Sequence, residues 1–167
     1  MFALDPTTLV GFHTWLSLIA IVAGFPAAAA LLKGQLSRSW NGIFLWMAIA
    51  TSATGFLFPF SGVLPSHIVG AISLALLAAA AIALYVRGLE GAWRRTYAIS
   101  AMLSFYLLIF VLIAQLFLKV PALNAMAPTQ AEPPFAIVQG IVLALFLALT
   151  VLAARRFRDD RPAARAV

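Results

Sequence analysis

The sequence predicts an all-α integral membrane protein, a helical bundle with five transmembrane helices, and three observations predict it. Of the 167 residues, 64% are hydrophobic and only 10% are charged, with a mean hydropathy of +1.04. Soluble domains run at about 45–50% apolar and about 25% charged. Five stretches approach the roughly 20 apolar residues that a helix needs to cross a hydrocarbon core of about 30 Å. The basic residues fall almost entirely in alternate connections between those stretches. Too little charge is present to cover a water-facing surface, so a soluble enzyme, a nucleic-acid binder and a disordered chain are excluded as classes.

The first span covers about residues 9–32. It is entered through Asp5-Pro6, a capping residue followed by a proline suited to a first helical position. Ala27 to Ala30 resemble a signal-peptidase site, but no basic stretch precedes the span and Lys33 follows it as a stop, so it reads as retained. The second span covers about 43–60, the third 66–86, the fourth 97–118 and the fifth 135–154. Alanine and leucine dominate these stretches and none alternates, which argues against barrel strands.

Orientation follows from the charges. With the amino terminus outside, the connections after the first and third spans and the tail 155–167 face the cytoplasm. They carry Lys33, Arg38, Arg87, Arg94, Arg95, Arg155, Arg156, Arg158, Arg161 and Arg165, leaving Lys119 alone outside. That is the positive-inside pattern. It predicts a multi-pass protein of a bacterial inner (plasma) membrane, with a single five-helix domain over 1–154 and a basic cytoplasmic tail. The net charge of +6 thus marks topology, and the lipid bilayer rather than nucleic acid is the expected partner.

The spans contain no Asp, Glu, Lys or Arg, and the chain has no cysteine. Ion-coupled pumps use buried carboxylates and lysines, and hydrolases use paired carboxylates or a Ser-His-Asp set. Neither pattern is present, so no catalytic residue or metal cluster is expected and the chain reads as non-enzymatic. A small transporter is the weaker alternative, disfavoured further by the lack of an internal repeat.

What polarity the spans do hold leans toward the outer half. His13 lies in the first span, Thr51, Ser52 and Thr54 in the second, and His67 at the start of the third. Gln115 lies in the fourth and Gln139 in the fifth. Three- and four-residue steps put His13, Ser17, Ala20 and Gly24 on one helix face, and His67, Gly70, Ala71 and Ala78 on another. Two uses compete for such faces. Hydrogen-bonding and small residues glue helices together in lipid. Alternatively, His13, Ser17, Thr51, Thr54, His67, Gln115 and Gln139 line a pocket for an apolar ligand such as a lipid or quinone. The two histidines, on different spans, also suit the two axial positions of a haem b. The proline-rich loop 119–134, with Lys119, Asn124 and Glu132, is placed to fold over the outer mouth as a lid, Lys119 and Glu132 pairing at its ends.

From about His13 to Leu118 the pattern resembles a bacterial family of predicted multi-span membrane proteins of unknown function. The resemblance rests on the histidine-bearing first span, the basic segment Ser37-Arg38-Ser39-Trp40-Asn41-Gly42, the third span opening Ser66-His67-Ile68-Val69-Gly70, and the segment from Arg87 to Arg95. Members tend to carry histidine within both basic loops, where this chain has Trp40 and Trp93. The resemblance implies a multi-span fold and brings no activity with it. The expected roles are therefore a ligand binder, or a subunit of a membrane complex or homo-oligomer.

Overall fold

A computed structural model describes residues 5–58 and 65–157. Its elements are α1 (Leu9–Leu32), α2 (Arg38–Gly55), α3 (Pro65–Ala81) continuing through a π-helical turn (Ile82–Val86), α4 (Trp93–Lys119), the short α5 (Pro121–Met126) and α6 (Pro133–Arg156). There is no strand among the described residues. Four of the helical segments, Leu9–Leu32, His67–Val86, Trp93–Lys119 and Pro133–Arg156, are long and apolar enough to cross a membrane. α2 is not among them; its 18 residues include Arg38, Asn41, Thr51, Ser52 and Thr54.

Local chemistry explains where the helix starts differ from the predicted spans. Thr8, not Asp5, caps α1: its Oγ1 accepts from the Gly11 amide at 3.0 Å. Asp5 instead closes a turn, its Oδ1 taking the Thr7 amide at 3.0 Å and the Thr7 hydroxyl at 2.6 Å. An aspartate side chain bonding two residues ahead favours such turns, and these bonds hold the Asp5 carboxyl below its usual range. α2 begins at Arg38 rather than 43 because polar residues supply its first turn; Asn41 Nδ2 donates back to the Ser37 carbonyl at 2.9 Å. The predicted end of that span, residues 59–60, lies outside the described residues.

The helices pack in sequence order: α1 along α2, α2 along α3, α3 along α4, and α4 along α6, with α6 returning to α1. One end carries Lys33, Arg38, Arg87, Arg94, Arg95, Arg155 and Arg156, and is fastened across the chain. Arg156 Nη1 donates to the Leu32 carbonyl at 3.0 Å, and buried Tyr97 donates its hydroxyl to Asn41 Oδ1 at 2.5 Å. The Arg94 guanidinium lies 5.0 Å over the Phe157 ring. Gly34 adopts φ +75, and a Cβ there would stand 2.9 Å from the Arg156 carbonyl oxygen, so conformation and space both require glycine.

Just inside this arginine end the bundle is tight. A Cβ on Gly24 of α1 would come within 2.5 Å of the Phe105 ring of α4. Phe105 cannot withdraw, being packed edge-on against Phe25, Phe44 and Phe146. The outer surface is apolar: Val22 is 64% exposed, Trp46 59% and Ile141 65%. Apolar faces of this extent are unsuited to water and suited to lipid.

Candidate functional site

Toward the opposite end, where His13 and His67 lie, α1 to α4 line an open cavity of about 500 Å³. Binding pockets span roughly 300–1,000 Å³, so this is room for a ligand. The walls differ in chemistry. α1, α2 and α3 contribute His13, Thr14, Ser17, Thr51, Ser52, His67 and Ser73 set among Val10, Leu18, Ile21, Phe56, Phe58 and Val69, whereas α4 contributes Leu107, Leu108, Val111 and Leu112, with Gln115 and Lys119 above them.

The polar wall is internally braced. His13 Nδ1 stands 2.9 Å from Thr54 Oγ1, and the Thr54 hydroxyl donates to the Ala50 carbonyl at 2.8 Å. A hydroxyl has one proton. With that proton on Ala50, Thr54 accepts from His13 Nδ1–H, and the neutral imidazole keeps its Nε2 lone pair. The His13 and Phe58 rings meet edge to face, with centroids 5.2 Å apart. Ser52 donates to Ser73 at 3.0 Å, joining α2 to α3. His67 is buried, its ring 5.8 Å from that of Phe56. Ser17 donates to the His13 carbonyl at 2.8 Å, while the buried Thr51 Oγ1 has no hydrogen-bond partner among the described residues.

Of the residues singled out in the sequence, the structure brings His13, Ser17, Thr51, His67, Gln115 and Lys119 to one cavity. Thr54 stands behind His13 as its hydrogen-bond partner rather than in the lining. Gln139 is elsewhere. α6 supplies no lining residue, and Gln139 Nε2 donates to the Phe110 carbonyl of α4 at 3.1 Å. The expected convergence of all five spans is therefore corrected to four, because α6 packs on another side of α4.

The loop after α4 also departs from expectation. Asn124 Nδ2 donates to the Phe117 carbonyl at 3.3 Å, and Gln130 Nε2 to the Ala114 carbonyl at 2.8 Å. These bonds fold the loop back along α4, leaving Asn124 and Glu132 outside the cavity lining. Glu132 takes the Thr129 hydroxyl at 2.8 Å instead of pairing with Lys119. Partial desolvation raises the Glu132 carboxyl, but the bonds from Thr129 and neighbouring amides outweigh it and hold the group below its usual range. On α3, Ala71 and Ala78 face outward, and the inward face runs through His67, Ser73, Leu77 and Ala80.

Sequence reasoning missed Ser73 and the leucine–valine wall of α4. A serine inside an apolar span was a usable signal for Ser73, whereas the α4 wall has the same composition as any lipid-facing stripe. No family model matches the chain, and neither does any curated protein or solved structure.

Proposed function

We propose that the chain is a five-span, non-enzymatic protein of a bacterial inner membrane that binds an apolar ligand, a lipid or a quinone, in the cavity at its histidine end. The amino terminus lies outside and the carboxyl terminus in the cytoplasm, an orientation supported by the grouping of the basic residues at one end. The observation that carries the reading is the cavity itself: about 500 Å³, with hydrogen-bonding side chains on its α1–α3 side, set among apolar ones, facing the leucines and valine of α4. A space walled in this way suits a molecule with hydrogen-bonding atoms along one side and hydrocarbon along the other.

The test is to extract the protein in mild detergent, recover what it retains in organic solvent, and identify it by mass spectrometry. Wild type is expected to retain a lipid or quinone that Val111→Trp, which fills the cavity, does not. Equal retention by both would overturn the reading.

The alternative, haem binding, has its own support. Both histidines of the chain line the same cavity, and the bond from Nδ1 to Thr54 is the kind of support that fixes a metal-ligating imidazole with Nε2 available. A haem b held by His13 and His67 would give purified protein from haem-replete cells a Soret band that His13→Ala and His67→Ala remove. Absence of the band would eliminate this reading.

A further inference from the structure

Among the described residues, Lys119 is the only charged one lining the cavity. It ends α4, is exposed, and lies about 18 Å along the helix from Leu107, the deepest α4 lining residue, at 1.5 Å per residue. It forms no ion pair among the described residues. The carboxylates at this end are already engaged, Asp5 by Thr7 and Glu132 by Thr129, and the segment 59–64 contains no acidic residue. Among the described residues, Lys119 is also the one lysine or arginine separated from the basic end of the bundle. An ammonium left unpaired at the mouth of an apolar-walled cavity has a charge to satisfy and a hydrocarbon slot beneath it.

We propose that the cavity takes a lipid with an acidic headgroup, a phosphate or a carboxylate, whose head pairs with Lys119 while its chain descends along Leu112, Val111, Leu108 and Leu107. The proposal rests on the ligand-binding reading above and narrows it, since a quinone has no acidic head. The polar wall of α1 to α3 then receives the ester, hydroxyl or glycerol oxygens near the head. The chain lies against the leucines and valine of α4, where it loses no hydrogen bond.

The experiment measures binding of four probes to the full chain in a neutral detergent by native mass spectrometry. Oleate and lysophosphatidate carry acidic heads; oleyl alcohol and monoolein are neutral counterparts. Wild type is expected to favour the acidic probes about fivefold, the effect of one basic charge near a lipid anion. Lys119→Gln abolishes that preference, while Lys119→Arg retains it. Stronger binding of lysophosphatidate than oleate assigns the head to phosphate, and the reverse assigns it to carboxylate. A preference that is missing from wild type, or that survives Lys119→Gln, overturns the headgroup assignment while the cavity reading stands. Binding of all four probes that is unaffected by Val111→Trp, or no binding at all, overturns the cavity reading and this proposal with it.

Discussion

His13 Nδ1 and Thr54 Oγ1 stand 2.9 Å apart and join α1 to α2 beside the cavity. Thr54 also donates to the Ala50 carbonyl at 2.8 Å, so its oxygen serves both helices. Interhelical hydrogen bonds in lipid are nonetheless worth only about 0.6 kcal/mol on average and up to about 1.7 kcal/mol. Thr54→Val is therefore expected to lower stability by about 1 kcal/mol. A double-mutant cycle with His13→Ala, read by reversible unfolding in mixed micelles, should return a coupling of that order. Additive effects would show that the two side chains do not interact.

Gly24 and Phe105 set the tight end of the bundle. Overpacking a filled interior costs about 1–3 kcal/mol, and Phe105 is held by three other rings. Gly24→Ala should lose stability in that range, and Phe105→Leu should suppress part of the loss when the two are combined. Gly42, whose Cβ would meet nothing within 4 Å, is the control: Gly42→Ala should be neutral or stabilising.

At the arginine end, Tyr97→Phe removes the donor to Asn41 Oδ1 and leaves a buried acceptor unmatched. Such groups cost about 1–3 kcal/mol. Tyr85, which is exposed, should tolerate the same change within about 0.5 kcal/mol. Thermal denaturation of the two variants side by side decides the matter; equal stability would remove the Tyr97–Asn41 bond from the account.

The loop before α6 should respond to acid. The Glu132 carboxyl is lower in the folded protein than in the unfolded chain. Its contribution is therefore fully present above the usual carboxylate range and is lost as pH falls through the lowered folded value. Amide exchange around 129–132 should accelerate on acidification through that window. In Thr129→Val the Glu132 titration, followed by NMR, should move upward; a titration that stays put would mean Thr129 does not set it.

The absence of cysteine makes topology directly testable. Gln35→Cys lies between α1 and α2, and Gln130→Cys between α4 and α6. If α2 crosses the membrane, the two positions label from opposite faces with an impermeant maleimide. If α2 lies on one side, they label from the same face, and the five-span proposal fails.

The sequence places a span at about residues 9–32 and α1 runs Leu9–Leu32, because an apolar run of spanning length is a property of the chain in one dimension. The inward face of α3 was not. Where Ala78 to Ala81 are identical, no contrast in polarity marks which side is buried, and packing against α4 rotated Ala71 and Ala78 outward. Gln139 was expected in the pocket lining and is not there; its partner, the Phe110 carbonyl, is a backbone atom of another helix that no side-chain pattern advertises.

By itself the sequence determined an all-helical membrane chain, which it divided into five spans where the structure has four helices long and apolar enough to cross a membrane, and an alternating pattern of basic connections. These follow from local composition, since each helix meets its own backbone hydrogen bonds and presents its own hydrocarbon. Only the tertiary structure decided which polar residues share a space. His13, His67, Ser73 and Lys119 meet at one cavity because α1, α3 and α4 pack side by side and bring these positions to the same end of the bundle. That arrangement depends on contacts between residues far apart in the chain.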